Sequence, residues 1–185
     1  MSKLENGVLG AARPSESSEW ALSMNVRDDH YCFGCGRLNP HGLHLVFAPL
    51  AGDQGVSATF TPRSEHQGFF DVVHGGIVTA VLDEAMGWAV FVRDIWAVTG
   101  KMAVTFRKPV AVGVPTRVIG RVVADRGRLL DLAAELRRGE DDTLLAEATA
   151  TFVRVPASQA QVWRNRYIVA NEERLDVSPM IVELE

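Results

Sequence analysis

The stretch His74-Gly75-Gly76-Ile77-Val78-Thr79-Ala80-Val81-Leu82-Asp83-Glu84 opens the most apolar run of the chain, residues 77–92, and the rest is read outward from it. Ile77, Val81, Trp88 and Val92 recur at helical spacing, and Val78, Leu82, Ala85 and Ala89 form a second apolar row beside them. A helix apolar on most of its circumference must be wrapped by other structure. The run is shorter than the roughly 20 residues a membrane-spanning helix needs, and Asp83 and Glu84 lie near its middle.

The flanking sequence supplies the wrapping. Before the helix, residues 43–47 form a short strand candidate ended by Pro49. Residues 56–61 alternate, with Val56, Ala58 and Phe60 on one face, and residues 63–73 read as a loop. After it, residues 102–107, 116–125, 129–138 and 143–155 are strand-like, separated by Pro, Gly or charged turns. Leu130, Leu132, Ala134 and Leu136 share one face, and Gly139-Glu140-Asp141-Asp142 reads as a hairpin turn. The expected order is strand, strand, buried helix, then a meander of four strands: an α+β layer arrangement. Residues 1–29 read as an N-terminal tail, within which 20–26 form one docking helical turn. Residues 30–156 form the domain, and 157–185 hold an amphipathic helix at 158–169 followed by a tail.

At 185 residues the chain suits a single domain able to bury a sizeable core. Apolar residues at 47% and charged residues at 23% describe a globular protein rather than a disordered or membrane one. A net charge of −4 argues against a nucleic-acid binder, which needs a concentrated basic face. Residues 1–19 are polar and hold no apolar h-region, so no secretion signal is expected. A cytoplasmic protein that neither spans nor binds a membrane follows, its two cysteines reduced.

The chemistry concentrates in the helix. An unpaired buried charge costs several kcal/mol, so Asp83 and Glu84 each need a partner or a task; arginine pairing would satisfy either. Adjacent residues lie about 100° apart round a helix. One carboxylate therefore reaches a pocket and the other an interface or solvent. Gly75-Gly76 let the backbone approach a ligand without Cβ interference. Free N–H groups in the first turn suit a developing negative oxygen. A carbonyl polarised there could be attacked by a carboxylate or by water that the carboxylate activates. His74 either holds the loop through hydrogen bonds or takes part in binding.

His74-Gly75-Gly76, with Asp83 nine residues after the histidine, resembles the helix motif of hotdog-fold acyl-CoA thioesterases of the PaaI type. Cys32-Phe33-Gly34-Cys35-Gly36, continuing through Asn39-Pro40-His41-Gly42-Leu43, resembles the opening of one branch of that group, and Asp83-Glu84-Ala85-Met86-Gly87 fits the same branch. Val104-Thr105-Phe106-Arg107-Lys108-Pro109-Val110 resembles the strand and turn that follow. The likeness covers residues 31–155. It implies a curved antiparallel sheet around the central helix. It also implies a homodimer, or a homotetramer as a dimer of dimers, with active sites at the subunit interface. The reaction implied is hydrolysis of an acyl-CoA thioester to free acid and CoA, without a cofactor, since CoA is part of the substrate.

By the same resemblance Gly75 donates its N–H to the thioester carbonyl, with Gly76 beside it. Asp83 serves as general base or nucleophile, contributed from the opposite subunit. Thr99, ten residues before Pro109, occupies a place where relatives often carry a Ser or Thr that positions water or the carboxylate. Some relatives carry an asparagine shortly before the histidine. This chain has Glu65-His66-Gln67-Gly68, so His66 or Gln67 takes that role. Arg107 and Lys108 either meet CoA phosphates or form a solvated surface pair. Glu84 is left as an interface or structural carboxylate.

Cys32, Cys35, His41 and His44 form a C-x2-C-x5-H-x2-H array that superficially resembles a zinc site. Four ligands within thirteen residues demand a very tight loop, and His44 falls in an expected strand, so no metal is expected there. The alternative on the same fold is a non-catalytic acyl-CoA binding or sensing protein. Such a sensor normally carries an output domain, for which neither tail is patterned. A dehydratase would need a different pairing of histidine and acid. Trp88, Phe91 and Trp96 read as core packing with the acyl pocket as the alternative, and acyl-chain length is not encoded in any of these patterns.

Overall fold

The computed structural model describes residues 26–168 apart from residue 54. Of the turn expected at 20–26 only Val26 falls within them, and the tail from residue 169 onward lies outside. The elements are β1 (Ala48–Pro49), β2 (Val56–Phe60), β3 (Gln67–Phe69), β4 (Val72–Val73), α1 (Gly75–Phe91), β5 (Ala97–Phe106), β6 (Thr116–Arg126), β7 (Leu129–Arg138), β8 (Leu144–Arg154) and α2 (Ala157–Tyr167). Six strands pair antiparallel in the order β1-β2-β6-β7-β8-β5, with β3 and β4 as a separate hairpin.

Three expectations change. The segment 43–47 is not a strand: His44 takes a left-handed φ of 53°, which breaks extended geometry. Leu43 and Leu45 instead donate their N–H groups to Phe33 O and Gly34 O, at 2.8 and 2.9 Å. The loop at 63–73 contains the β3–β4 hairpin. The meander runs only through β6, β7 and β8, because β5 pairs with β8 at the far edge while β2 takes the place beside β6. Alternation does not report which neighbour a strand chooses; the helix crossing between β2 and β5 decides it.

Helix α1 buries Val78, Val81, Leu82, Ala85, Met86, Ala89 and Val90. The sheet face opposite presents Val118, Leu130, Leu132, Ala134 and Leu136, all buried. Helix and sheet meet closely at Gly120, where a Cβ would stand 2.2 Å from the Ala85 carbonyl oxygen. Only glycine lets β6 pass there. The sheet ends on one side at the two-residue β1 and on the other at the ten-residue β5, whose side chains are mostly exposed. Among the described residues, no helix is long and apolar enough to cross a membrane.

Candidate active site

The helix start is built by its cap. His74 holds extended dihedrals, and its Nδ1 accepts the Gly76 N–H at 2.9 Å, satisfying one of the donors a helix start leaves open. The Gly76 N–H, expected to lie beside the substrate, is taken up by His74 in this structure. Gly75 stands at the first helical position, solvent-exposed, and its N–H meets no acceptor among the described residues. The Phe106 ring lies over it, 3.4 Å from where a Cβ would be. His74 N–H donates to His66 O at 2.8 Å, and Val73 N–H to Val110 O at 2.9 Å, which fixes the approach of the chain to the helix.

His66 does not face this site. It is 4% exposed, stacks on Phe60 at 5.5 Å, and its Nδ1 accepts the Arg63 N–H at 3.1 Å. Burial, followed by the nearby Arg63 charge, holds its imidazole below the usual range. Of the two candidates for the missing asparagine, Gln67 is the exposed one, and its Oε1 accepts the Asp71 N–H at 2.9 Å. Arg107 and Lys108 line a groove of about 330 Å³ together with Gly75 and Phe106. Arg107, one residue past β5, also donates from Nε to Glu147 Oε1 of β8 at 2.9 Å.

Asp83 lies two turns along α1, half-buried. Thr99, near the start of β5, donates its hydroxyl to Asp83 Oδ1 at 2.7 Å. The edge strand thus orients the carboxylate, leaving Oδ2 for other partners. Eight residues separate Gly75 from Asp83, about 12 Å of helix rise. A single carbonyl cannot touch both groups of one protomer.

Glu84 points elsewhere, beneath the turn that carries Cys32 and Cys35. Its Oε2 lies 3.5 Å from Cys32 Sγ, and its Oε1 accepts the Trp88 Nε1–H at 3.1 Å. A Cβ on Gly34 would come within 2.2 Å of the carboxylate, so that glycine is what admits the contact. Burial, then the neighbouring Cys32 charge, pushes the Glu84 carboxyl up to about 7. Cys35 shares its S–H with Cys32, which lowers the Cys32 thiol and raises that of Cys35. These groups line a cavity of about 190 Å³ with His30, Trp88, Phe91 and Trp96. The three aromatics therefore border open space as well as packing on one another, Trp88 to Phe91 and Phe91 to Trp96 each at 5.2 Å. Sequence patterning missed this cluster, since Cys32 and Glu84 stand 52 residues apart. His41 and His44 are exposed and do not join it.

The family model of the thioesterase superfamily matches residues 70–145, the segment from the β3–β4 hairpin to β8. An uncharacterised protein of Schizosaccharomyces pombe is 30% identical over 118 residues, covering 59% of this chain and 67% of that one. The acyl-coenzyme A thioesterase THEM4 of Mus musculus is 27% identical over 89 residues, 48% of this chain and 38% of the mouse protein. The crystal structure of RHA08564, a thioesterase superfamily protein, superposes with a TM-score of 0.63 at 23% identity, over 66% of this chain and 60% of that one. The chain belongs to the thioesterase superfamily, and its helix-in-sheet architecture is the α+β hotdog fold. Thioester hydrolysis is the class of reaction this membership supports. The chain spans well under two thirds of the mouse enzyme's length.

Proposed function

We propose that the protein hydrolyses an acyl-CoA thioester to the free acid and CoA, at a site shared between two subunits. The carrying observation is the separation of the two halves of the machinery. Gly75 offers a free N–H under Phe106, at the C-terminal end of β5, while Thr99 holds Asp83 at the N-terminal end. Twofold antiparallel pairing of β5 with its copy lays the Phe106 end of one strand against the Thr99 end of the other. Gly75 of one subunit then meets Asp83 of the partner subunit across the seam, closing a gap that one chain alone leaves open. The likeness to a mouse acyl-CoA thioesterase supports CoA as the thiol. Arg107 and Lys108 beside Gly75 supply cations for its phosphates.

In this reading the Gly75 N–H and the helix dipole stabilise the oxyanion that forms as the carbonyl is attacked. Asp83, as base or nucleophile, is steadied by Thr99. Exposed Phe69 (83%) and Phe70 (85%), on the same hairpin that leads into His74, extend an apolar surface of the kind a second subunit covers.

Asp83→Ala is expected to lower turnover of acyl-CoA by at least about two orders of magnitude, with the circular dichroism spectrum and dimer retained. Undiminished hydrolysis by that variant removes Asp83 from the mechanism. Gly75→Pro tests the other half: proline suits the first helical position and removes the N–H, its Cβ meeting the Phe106 ring at ordinary contact distance, 3.4 Å. Purified mixed dimers, one subunit Asp83→Ala and the other Gly75→Pro, retain one intact site of two. They are expected to recover about half the parental rate, because a twofold interface makes two equivalent sites. Inactive mixed dimers place the whole site within one chain. A panel of acyl-CoA substrates from short through long chain to aryl, with released thiol detected, defines the acyl group. Binding of these ligands without cleavage of any favours the acyl-CoA binding module.

A further inference from the structure

Cys32, Cys35 and Glu84 each offer one ligand atom, and the three atoms lie within 4.8 Å of one another. The C-x2-C turn is closed by the Gly36 N–H to Cys32 O bond at 2.9 Å and sits on α1 through the close fit of Gly34 over Glu84. Glu84 receives the Trp88 indole N–H. Covering a carboxylate beside two thiols carries a desolvation cost that a bound cation would offset.

We propose that Cys32, Cys35 and Glu84 form a metal site for Zn²⁺, with the fourth tetrahedral position facing the cavity lined by His30. Two sulfurs and one carboxylate oxygen form a donor set that zinc accepts at four-coordinate sites. The soft thiolates disfavour Mg²⁺ and Ca²⁺, which prefer oxygen. Binding replaces the thiol protons with the metal, and those protons leave to solvent. The ion staples the turn at 32–36 to the central helix one residue from Asp83, so it fixes both the N-terminal part of the domain and the rotation of α1. Its ligands join sequence-distant elements, unlike the linear array of two cysteines with His41 and His44. The inference is independent of the hydrolase reading.

The test uses the full chain, purified under reducing conditions without a histidine tag and reconstituted with zinc. About one zinc per chain is expected after desalting, by elemental mass spectrometry, as for a single closed site. Cys32→Ser and Cys35→Ser are each expected to lose it, Glu84→Gln to bind at least about tenfold more weakly, as loss of one ligand implies. His41→Ala and His44→Ala are expected to keep it. Cobalt substitution is expected to give a thiolate-to-cobalt charge-transfer band and the intense visible bands of tetrahedral Co²⁺. In the unaltered protein, which needs no variant to fold, both thiols should resist a thiol reagent until a chelator is added. Failure to retain zinc or cobalt, with freely titrating thiols, overturns the proposal. So does zinc lost from His41→Ala or His44→Ala, or a metal-free Cys32–Cys35 disulfide that persists under the reconstitution conditions.

Discussion

Thr99 and Asp83 are joined by one hydrogen bond of 2.7 Å between an edge strand and the central helix. A hydrogen bond to a charged group is worth roughly 1.5–3 kcal/mol. Thr99→Val is therefore expected to lower kcat about tenfold or more, with KM little changed and Thr99→Ser restoring most of the rate. Steady-state kinetics on a cleaved acyl-CoA reads this directly, and a change in KM alone assigns Thr99 to binding. His66 carries a different consequence. Its folded-state pKa lies below the usual 6.5, chiefly through burial. The unfolded chain therefore binds a proton that the folded one rejects, and stability is lost as pH falls below about 6.5. Denaturant unfolding between pH 7.5 and 5 is expected to show a declining midpoint that His66→Asn flattens. An unchanged slope in the variant removes His66 as its source.

Helix α1 is set by what happens at its first turn. His74 caps it through Gly76, leaving Gly75 as the exposed donor. If capping is the histidine's work, an asparagine can replace it, because its side chain also accepts from the helix start. His74→Asn is expected to keep the melting temperature and most of the activity, whereas His74→Ala loses about 1 kcal/mol of stability and misplaces Gly75. Paired thermal melts and rate measurements separate the two; equal loss of rate in both, with stability intact in His74→Asn, makes the imidazole a participant in chemistry. Strand β5 is the complementary element. Its ten residues form an edge whose side chains are mostly exposed, and long unpaired edges invite pairing with another chain. A bulge between Thr99 and Lys101 turns its start, and Gly100 passes within 2.9 Å of Val153 Cγ2 at its would-be Cβ.

At the scale of the whole molecule, the proposed pairing of two copies through β5 would account together for the exposed β5 edge, the exposed Phe69–Phe70 tip and the roughly 12 Å offset along the helix. Sedimentation at micromolar concentration is expected to give a dimer or a dimer of dimers. A monomer that hydrolyses acyl-CoA at full rate contradicts the shared site.

What could be read before folding was what local pattern encodes. The apolar rows from Ile77 to Val92 foretold α1, and the alternation from Leu130 to Leu136 foretold the buried face of β7, because burial imposes the period of each element. The separation of Gly75 from Asp83 along a helix also follows from chain geometry. The expected strand at 43–47 failed because the left-handed backbone at His44 and the hydrogen bonds of Leu43 and Leu45 to the cysteine turn are set by the neighbours. The burial of His66, the capture of the Gly76 N–H and the seat of β5 beside β8 were likewise decided by packing. Above all, Glu84, adjacent to Asp83 in sequence, was assigned its surroundings only when Cys32 and Cys35 came down on it from the start of the domain. A linear pattern fixes which face a residue occupies; which distant groups arrive at that face depends on how the elements pack, and that decided the cluster.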